Sequence, residues 1–157
     1  MKNIALILLI IAMASCQEDK AGLTDNSFSV SRNFFPWLGA AEIHVDNTND
    51  TLTFLGVGAS ANDDVILLKI KFNGPGTYAL AKNQAHYYST VGGDVLTSNY
   101  ELAPNDVGEF VISKYDPAGK LLEGSFKVSL KKTWSYGGNG ADILNFTDGH
   151  FKGKIEN

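Results

Sequence analysis

The run Lys-Leu-Leu-Glu-Gly-Ser-Phe-Lys-Val-Ser-Leu-Lys-Lys, Lys120 to Lys132, alternates with a strict period of two. Leu122, Gly124, Phe126, Val128 and Leu130 point one way, and Glu123, Ser125, Lys127, Ser129 and Lys131 point the other. A helix would scatter both sets around its axis, so this is a strand with one face in a core and one in water. Just upstream, Asp116-Pro117-Ala118-Gly119 has proline early and glycine where a turn needs positive φ. Before that turn, Glu109 to Tyr115 carries Phe110 and Ile112 inward.

The same grammar extends in both directions. Ala41 to Asp46 and Thr51 to Val57 read as a hairpin joined by Asn47-Thr48-Asn49-Asp50. Val65 to Phe72 places Ile66, Leu68, Ile70 and Phe72 on one face, with Val65 and Leu67 making the other partly apolar, as expected of a central strand. Asn73-Gly74-Pro75-Gly76 turns into Thr77 to Leu80, and Gln84 to Thr90 and Val95 to Glu101 flank Gly92-Gly93-Asp94. Asp142 to Thr147 and His150 to Ile155 lie on either side of Asp148-Gly149, a pair suited to a type I′ hairpin. No window supports an amphipathic helix. Ten short strands predict an all-β domain, a single antiparallel meander forming a flattened barrel or a two-sheet sandwich.

The N-terminus decides where such a domain resides. Lys2 precedes an apolar run from Ile4 to Met13, which has the length of a signal-peptide core and is too short for a membrane span. Ala14 and Ser15 then lead into Cys16, the one cysteine of the chain. These residues resemble the lipobox of bacterial lipoproteins, with Met13 standing where leucine is usual. The resemblance implies cleavage before Cys16 and a diacylglycerol on its sulfur, a palmitate-type anchor usually joined by an amide-linked chain; one acyl chain binds marginally and two or more hold durably. An uncleaved anchor helix, or a secretory signal beside an ordinary cysteine, are the competing readings. Gln17-Glu18-Asp19-Lys20 is similar to the acidic export signal of Bacteroidota surface lipoproteins. The division expected is a signal peptide over 1–15, a lipidated terminus and flexible spacer over 16–27, and a domain over 28–157. Localisation is then the outer membrane, lipid-anchored, with the cell surface favoured over the periplasmic face.

Removing the signal leaves 142 residues, enough for one domain, with 12 basic against 17 acidic side chains, a net charge of −5. That balance argues against nucleic acid as a partner. A single cysteine allows no internal disulfide, so packing must supply the stability.

Gly76-Thr77-Tyr78-Ala79-Leu80, the run Gly-Glu-Phe-Val-Ile-Ser-Lys-Tyr-Asp from Gly108, Glu123-Gly124-Ser125-Phe126 and Phe146-Thr147-Asp148-Gly149-His150-Phe151 resemble a family of uncharacterised Bacteroidota all-β lipoproteins. The resemblance implies fold and envelope location. It supplies no catalytic residues.

Direct inspection gives little chemistry. His44, His86 and His150 lie on three expected strands without metal-ligand spacing, and no serine occupies a nucleophile elbow. No catalytic residue, metal or cofactor is expected, and the protein is read as a non-enzyme. Asp46-Asn47-Thr48-Asn49-Asp50, with Asn62-Asp63-Asp64 in addition, has the alternating oxygens of a calcium loop but lacks its glycine and its final acid. Asp50-Thr51-Leu52 resembles the O-glycan acceptor site of Bacteroidota envelope proteins, which makes Thr51 a modification candidate.

Aromatic residues are the remaining lead. Trp37, with Phe34 and Phe35, follows the spacer, and Trp134 and Tyr136 open the glycine-rich loop Gly137-Gly138-Asn139-Gly140. Trp37, Trp134 and Tyr136 are the candidate ligand contacts, able to stack on a sugar or anchor a protein, although the favoured reading of Phe34 to Trp37 is that they plug an end of the barrel and of Trp134 that it covers the core's edge. The loop from Lys132 to Asp142 is the expected binding surface. The function expected is a membrane-anchored, non-enzymatic binding or interaction module with an envelope protein or glycan as partner. The alternative is a lipocalin-like carrier of a small apolar ligand, which requires that Phe54, Phe72, Phe110 and Phe126 leave the interior open.

Overall fold

The computed structural model describes residues 23–59 and 63–156, and is built almost wholly of strands. They are β1 (Ser27–Arg32), β2 (Phe35–Asp46), β3 (Thr51–Gly58), β4 (Asp63–Lys71), β5 (Gly76–Leu80), β6 (Ala85–Val91), β7 (Val95–Glu101), β8 (Gly108–Asp116), β9 (Leu121–Ser135) and β10 (Ile143–Glu156). All ten belong to one sheet. Eight of them, β1, β2, β3, β4, β6, β7, β9 and β10, close on themselves as a ring. The meander is interrupted twice, because β5 and β8 leave the ring order and pair with each other.

The alternating run of β9 is the organising strand. One edge pairs with β10 from Leu121 to Lys131. The other edge serves β8 from Leu121 to Lys127 and then β7 from Lys131 to Ser135. Leu122, Phe126, Val128 and Leu130 are buried as their spacing predicts, and Lys127, Ser129 and Lys131 face solvent. Gly124 interrupts the inward row for a steric reason. A Cβ there would lie 2.0 Å from the Val111 carbonyl oxygen and 2.7 Å from the Phe151 ring.

Two expectations are corrected. Asp148-Gly149 is not a hairpin turn; β10 runs through it as one strand of 14 residues. A bulge between Phe146 and Gly149 absorbs the dipeptide, with Asp148 at φ 52°, because both edges of β10 are already occupied, by β9 and β1. Gly149 fits there because a Cβ would meet the Phe126 carbonyl oxygen at 2.6 Å. Conversely, Ser27 to Arg32 forms a strand, β1, that pairs with β2 and β10 and completes the ring. The expected spacer of 16–27 therefore ends earlier. Asp25 forms an ion pair with Lys152 at 2.9 Å, and the Asn26 side chain accepts the Lys154 amide at 2.8 Å.

The core is aromatic. Phe54 lies at its centre, with ring centroids 5.0 Å from Phe151, 5.5 Å from Phe126 and 5.9 Å from Phe110. Phe110 stacks on Phe151 at 4.9 Å. Phe72, expected in the same row, is only partly buried and packs edge-on against Tyr115.

The two ends of the ring differ in character. At one end lie the turns 47–50, 73–75 and 117–120, rich in asparagine, glycine and proline. The chain enters β1 from that side, tied at Asp25 and Asn26, and β10 finishes there beside His44. At the opposite end lie the β1–β2, β6–β7 and β9–β10 connections, and with them the exposed apolar residues Phe34, Phe35, Val91, Val95, Tyr136 and Ile143. No helix among the described residues is long and apolar enough to cross a membrane.

Candidate functional site

The β9–β10 connection shapes a cleft at the apolar end. Tyr136–Gly138 forms a single 3-10 turn, with Gly137 at φ 65° and Gly138 at φ 71°. Both angles lie in the left-handed region that glycine occupies without strain. Lys132 points inward beneath the loop and holds it down. Its ammonium donates to the carbonyl of Gly140 at 3.0 Å and pairs with Asp142 at 3.1 Å. Tyr100 fixes the far side by donating from its hydroxyl to the Ala141 carbonyl at 2.9 Å.

Beneath this loop is a cleft of about 340 Å³. Ser89 of β6, Thr97, Ser98 and Tyr100 of β7, and Ser135 of β9 form its floor. Tyr136, Asn139 and Gly140 form its wall. The Ser89 hydroxyl hydrogen-bonds those of Thr97 at 2.8 Å and Ser98 at 2.6 Å. The Ser135 hydroxyl oxygen is buried and has no hydrogen-bond partner among the described residues. No lining residue carries a carboxylate or a cation.

A buried polar network adjoins the cleft. Arg32 donates to Asp64 at 2.8 Å and to the Tyr87 hydroxyl at 2.6 Å, while its guanidinium lies 5.0 Å from the Trp37 ring centroid. Burial, opposed by the Arg32 charge and supported by Asp64, pushes the Tyr87 phenol well above its ordinary range. Tyr87 meets Tyr100 edge to face at 5.6 Å, which links the network to the cleft floor.

The sequence candidates fare unequally. Tyr136 is in the cleft wall and 77 % exposed. Trp134 is 46 % exposed but lies on the outer face, in register with Asn99, because a bulge in the β7–β9 ladder separates it from the inward row. Trp37 is corrected: it is a core residue, 5 % exposed, packed against Phe28, Tyr87 and Phe146. Its parity with Ala41 and Ile43 was the available signal, and it becomes legible once β2 is known to begin at Phe35. Arg32, Asp64 and Ser135 had no local signature. Cys16 lies outside the described residues. Thr51 opens β3 on the outward face, at the polar-turn end.

The acidic loop is accounted for by its own turn. Asp46 accepts from the Thr48 amide and hydroxyl, at 2.9 and 2.6 Å, and from Asn49 at 2.8 Å. These bonds, that from the Thr48 hydroxyl foremost, hold its carboxyl below the usual range. Asp63 and Asp64 belong to the other end of the β3–β4 hairpin, so the two acidic groups cannot share an ion. His44 lies 3.5 Å from Glu156 and His86 3.9 Å from Glu101, on separate ladders. Among the described residues no group of three or more histidine, cysteine or acidic side chains is placed to hold a metal.

A closed ring packed with aromatic side chains, carrying an uncharged cleft and apolar loops at one end, defines an all-β scaffold whose distinctive surface lies in its connections. The chain belongs to the family described as a domain of unknown function (DUF6252), whose model matches residues 25–153. No curated protein and no solved structure matches it.

Proposed function

We propose that the protein is an envelope lipoprotein, held in the outer membrane through Cys16 and displayed on the cell surface. There it acts as a non-enzymatic binding module for a protein partner or glycan. The observation that carries the binding role is Phe34. It sits in the β1–β2 turn at φ 72° and is 96 % exposed. The two-residue turn requires positive φ here as at Asn33 (φ 47°), but not a phenylalanine, which costs about 1 kcal/mol in that conformation where glycine would cost none and gains no packing in return. Strain kept at an exposed site points to use by something outside the chain. Phe35, Val95 and Tyr136 share that end, which is the composition of a recognition surface.

The direction of the chain supports the anchored arrangement. Its N-terminal entry is opposite the apolar loops, so a tether at Cys16 leaves those loops free of the attachment point. Against the carrier reading, Phe54, Phe110, Phe126 and Phe151 occupy the interior where a small apolar ligand would sit.

The test is a diazirine cross-linking residue placed in living cells at position 34 or, at the other end, at Ala118. Discrete adducts from position 34 and none from 118 are expected. Phe34→Gly should raise the thermal midpoint, by relief of about 1 kcal/mol, while abolishing adducts formed from a probe at Val95. Identical products from both ends, or none from 34 and 95, would overturn the proposal.

A further inference from the structure

We propose that the cleft beneath the glycine-rich loop binds a pyranose ring of a neutral glycan, with Tyr136 as the stacking platform and Ser135 as a buried hydrogen-bonding partner. This rests on the binding-module reading and names the ligand class of its loop end.

Three observations converge. The lining is all hydroxyl, amide and aromatic, with no charged group. A charged ligand would lose its hydration there without a counter-charge, whereas a neutral polyol exchanges hydrogen bonds one for one. Tyr136 offers an exposed ring face, whose negative quadrupole attracts the C–H side of a sugar. The Ser135 hydroxyl is covered and unpartnered among the described residues, and a rotation about its χ1 toward the cleft, which Ser135 lines, lets a ligand group complete it.

Size and rigidity agree. Small-ligand sites begin at roughly 300 Å³, and this cleft has about 340 Å³. The loop is held before any ligand arrives, since Lys132 braces Gly140 and Asp142 from below. A preformed wall lowers the ordering cost of binding.

The experiment is saturation-transfer NMR on the full chain extracted in detergent. The probes are glucose, galactose, mannose, N-acetylglucosamine, maltose, lactose and chitobiose, with glucuronic acid and glucose 6-phosphate as charged controls. At least one neutral sugar should bind, with the controls weaker. Tyr136→Ala should weaken that binding about tenfold, and Tyr136→Phe by less than about twofold, because the ring is retained. Ser135→Ala should weaken binding several-fold and yet raise the thermal midpoint of the free protein, a split that a purely structural serine would not show.

Absence of binding by every neutral sugar at about 10 mM, or binding indifferent to Tyr136→Ala, overturns the sugar assignment. The cross-linking pattern at Phe34, recorded on the same strains, separates the two failures. Adducts at 34 without sugar binding leave the interaction module standing with another ligand. Loss of both ends both proposals.

Discussion

Asp64 is the one buried charged side chain among the described residues, and it survives there because Arg32 neutralises it. Removing one partner of a buried pair strands the other charge, at a cost of about 3 kcal/mol when the partner is partly exposed, as Arg32 is. Asp64→Ala should therefore shift the urea midpoint sharply downward. The double variant Arg32→Met with Asp64→Leu should recover most of the loss, and an unrecovered double variant would show that the network does more than balance charge. Asp46 sets a different dependence. Its carboxyl is held below 3.8, chiefly by the Thr48 hydroxyl, so folding favours the ionised form. The resulting stability is present above the unfolded value and is lost as pH falls through the folded one. Asp46→Asn should lower the thermal midpoint at neutral pH, and that gap should close as the pH is taken below 3.8. A gap that stays constant into acid would assign the effect to turn geometry instead of charge.

At the scale of elements, β9 shows how much a strand's own sequence reveals. Its alternation named the inward and outward sets correctly, because period two follows from the pleat of a single strand. What it could not reveal was the fork in its pairing, since the identity of a neighbour is not encoded in the period. Gly124 marks the place where that neighbour matters. Alanine there would drive a methyl into the β8 backbone, which cannot turn aside as a flexible side chain can. Gly124→Ala is expected to cost about 3 kcal/mol, read by chemical denaturation, and a loss under about 0.5 kcal/mol would mean that β8 yields. β10 teaches the converse. Asp148-Gly149 has the local chemistry of a turn, and the same positive φ serves equally in a bulge. Only two occupied edges make the second outcome prevail.

At the scale of the molecule, the ring is polar at the end where the described chain enters and apolar at the other. Under the proposed lipid anchor, that polarity would leave the apolar loops facing away from the end where the chain is tied. Cys16→Ala should move the protein from the outer-membrane fraction into a soluble one, while protease treatment of intact cells should release the unaltered domain. Firm membrane retention of the Cys16→Ala variant would refute lipidation as the anchor. Protection from protease, in cells whose other surface proteins are cut, would refute display on the outside.

Local residue patterns are enough to make the domain all-β, to say which faces of its long strands are buried, and to place most of its turns. These are properties of short windows, fixed by steric preference and by the alternation of side chains along a pleated chain. The tertiary structure alone decided that β1 exists as a strand, that β10 is continuous, and that the sheet closes into a ring. It also placed Trp37 in the core and Tyr136 over the cleft, although both lie in aromatic, turn-flanked segments that look alike in sequence. The physical reason is the same in each case. Alternation tells a side chain which face it shares, and only the partner strands tell that face whether it meets core, cleft or water.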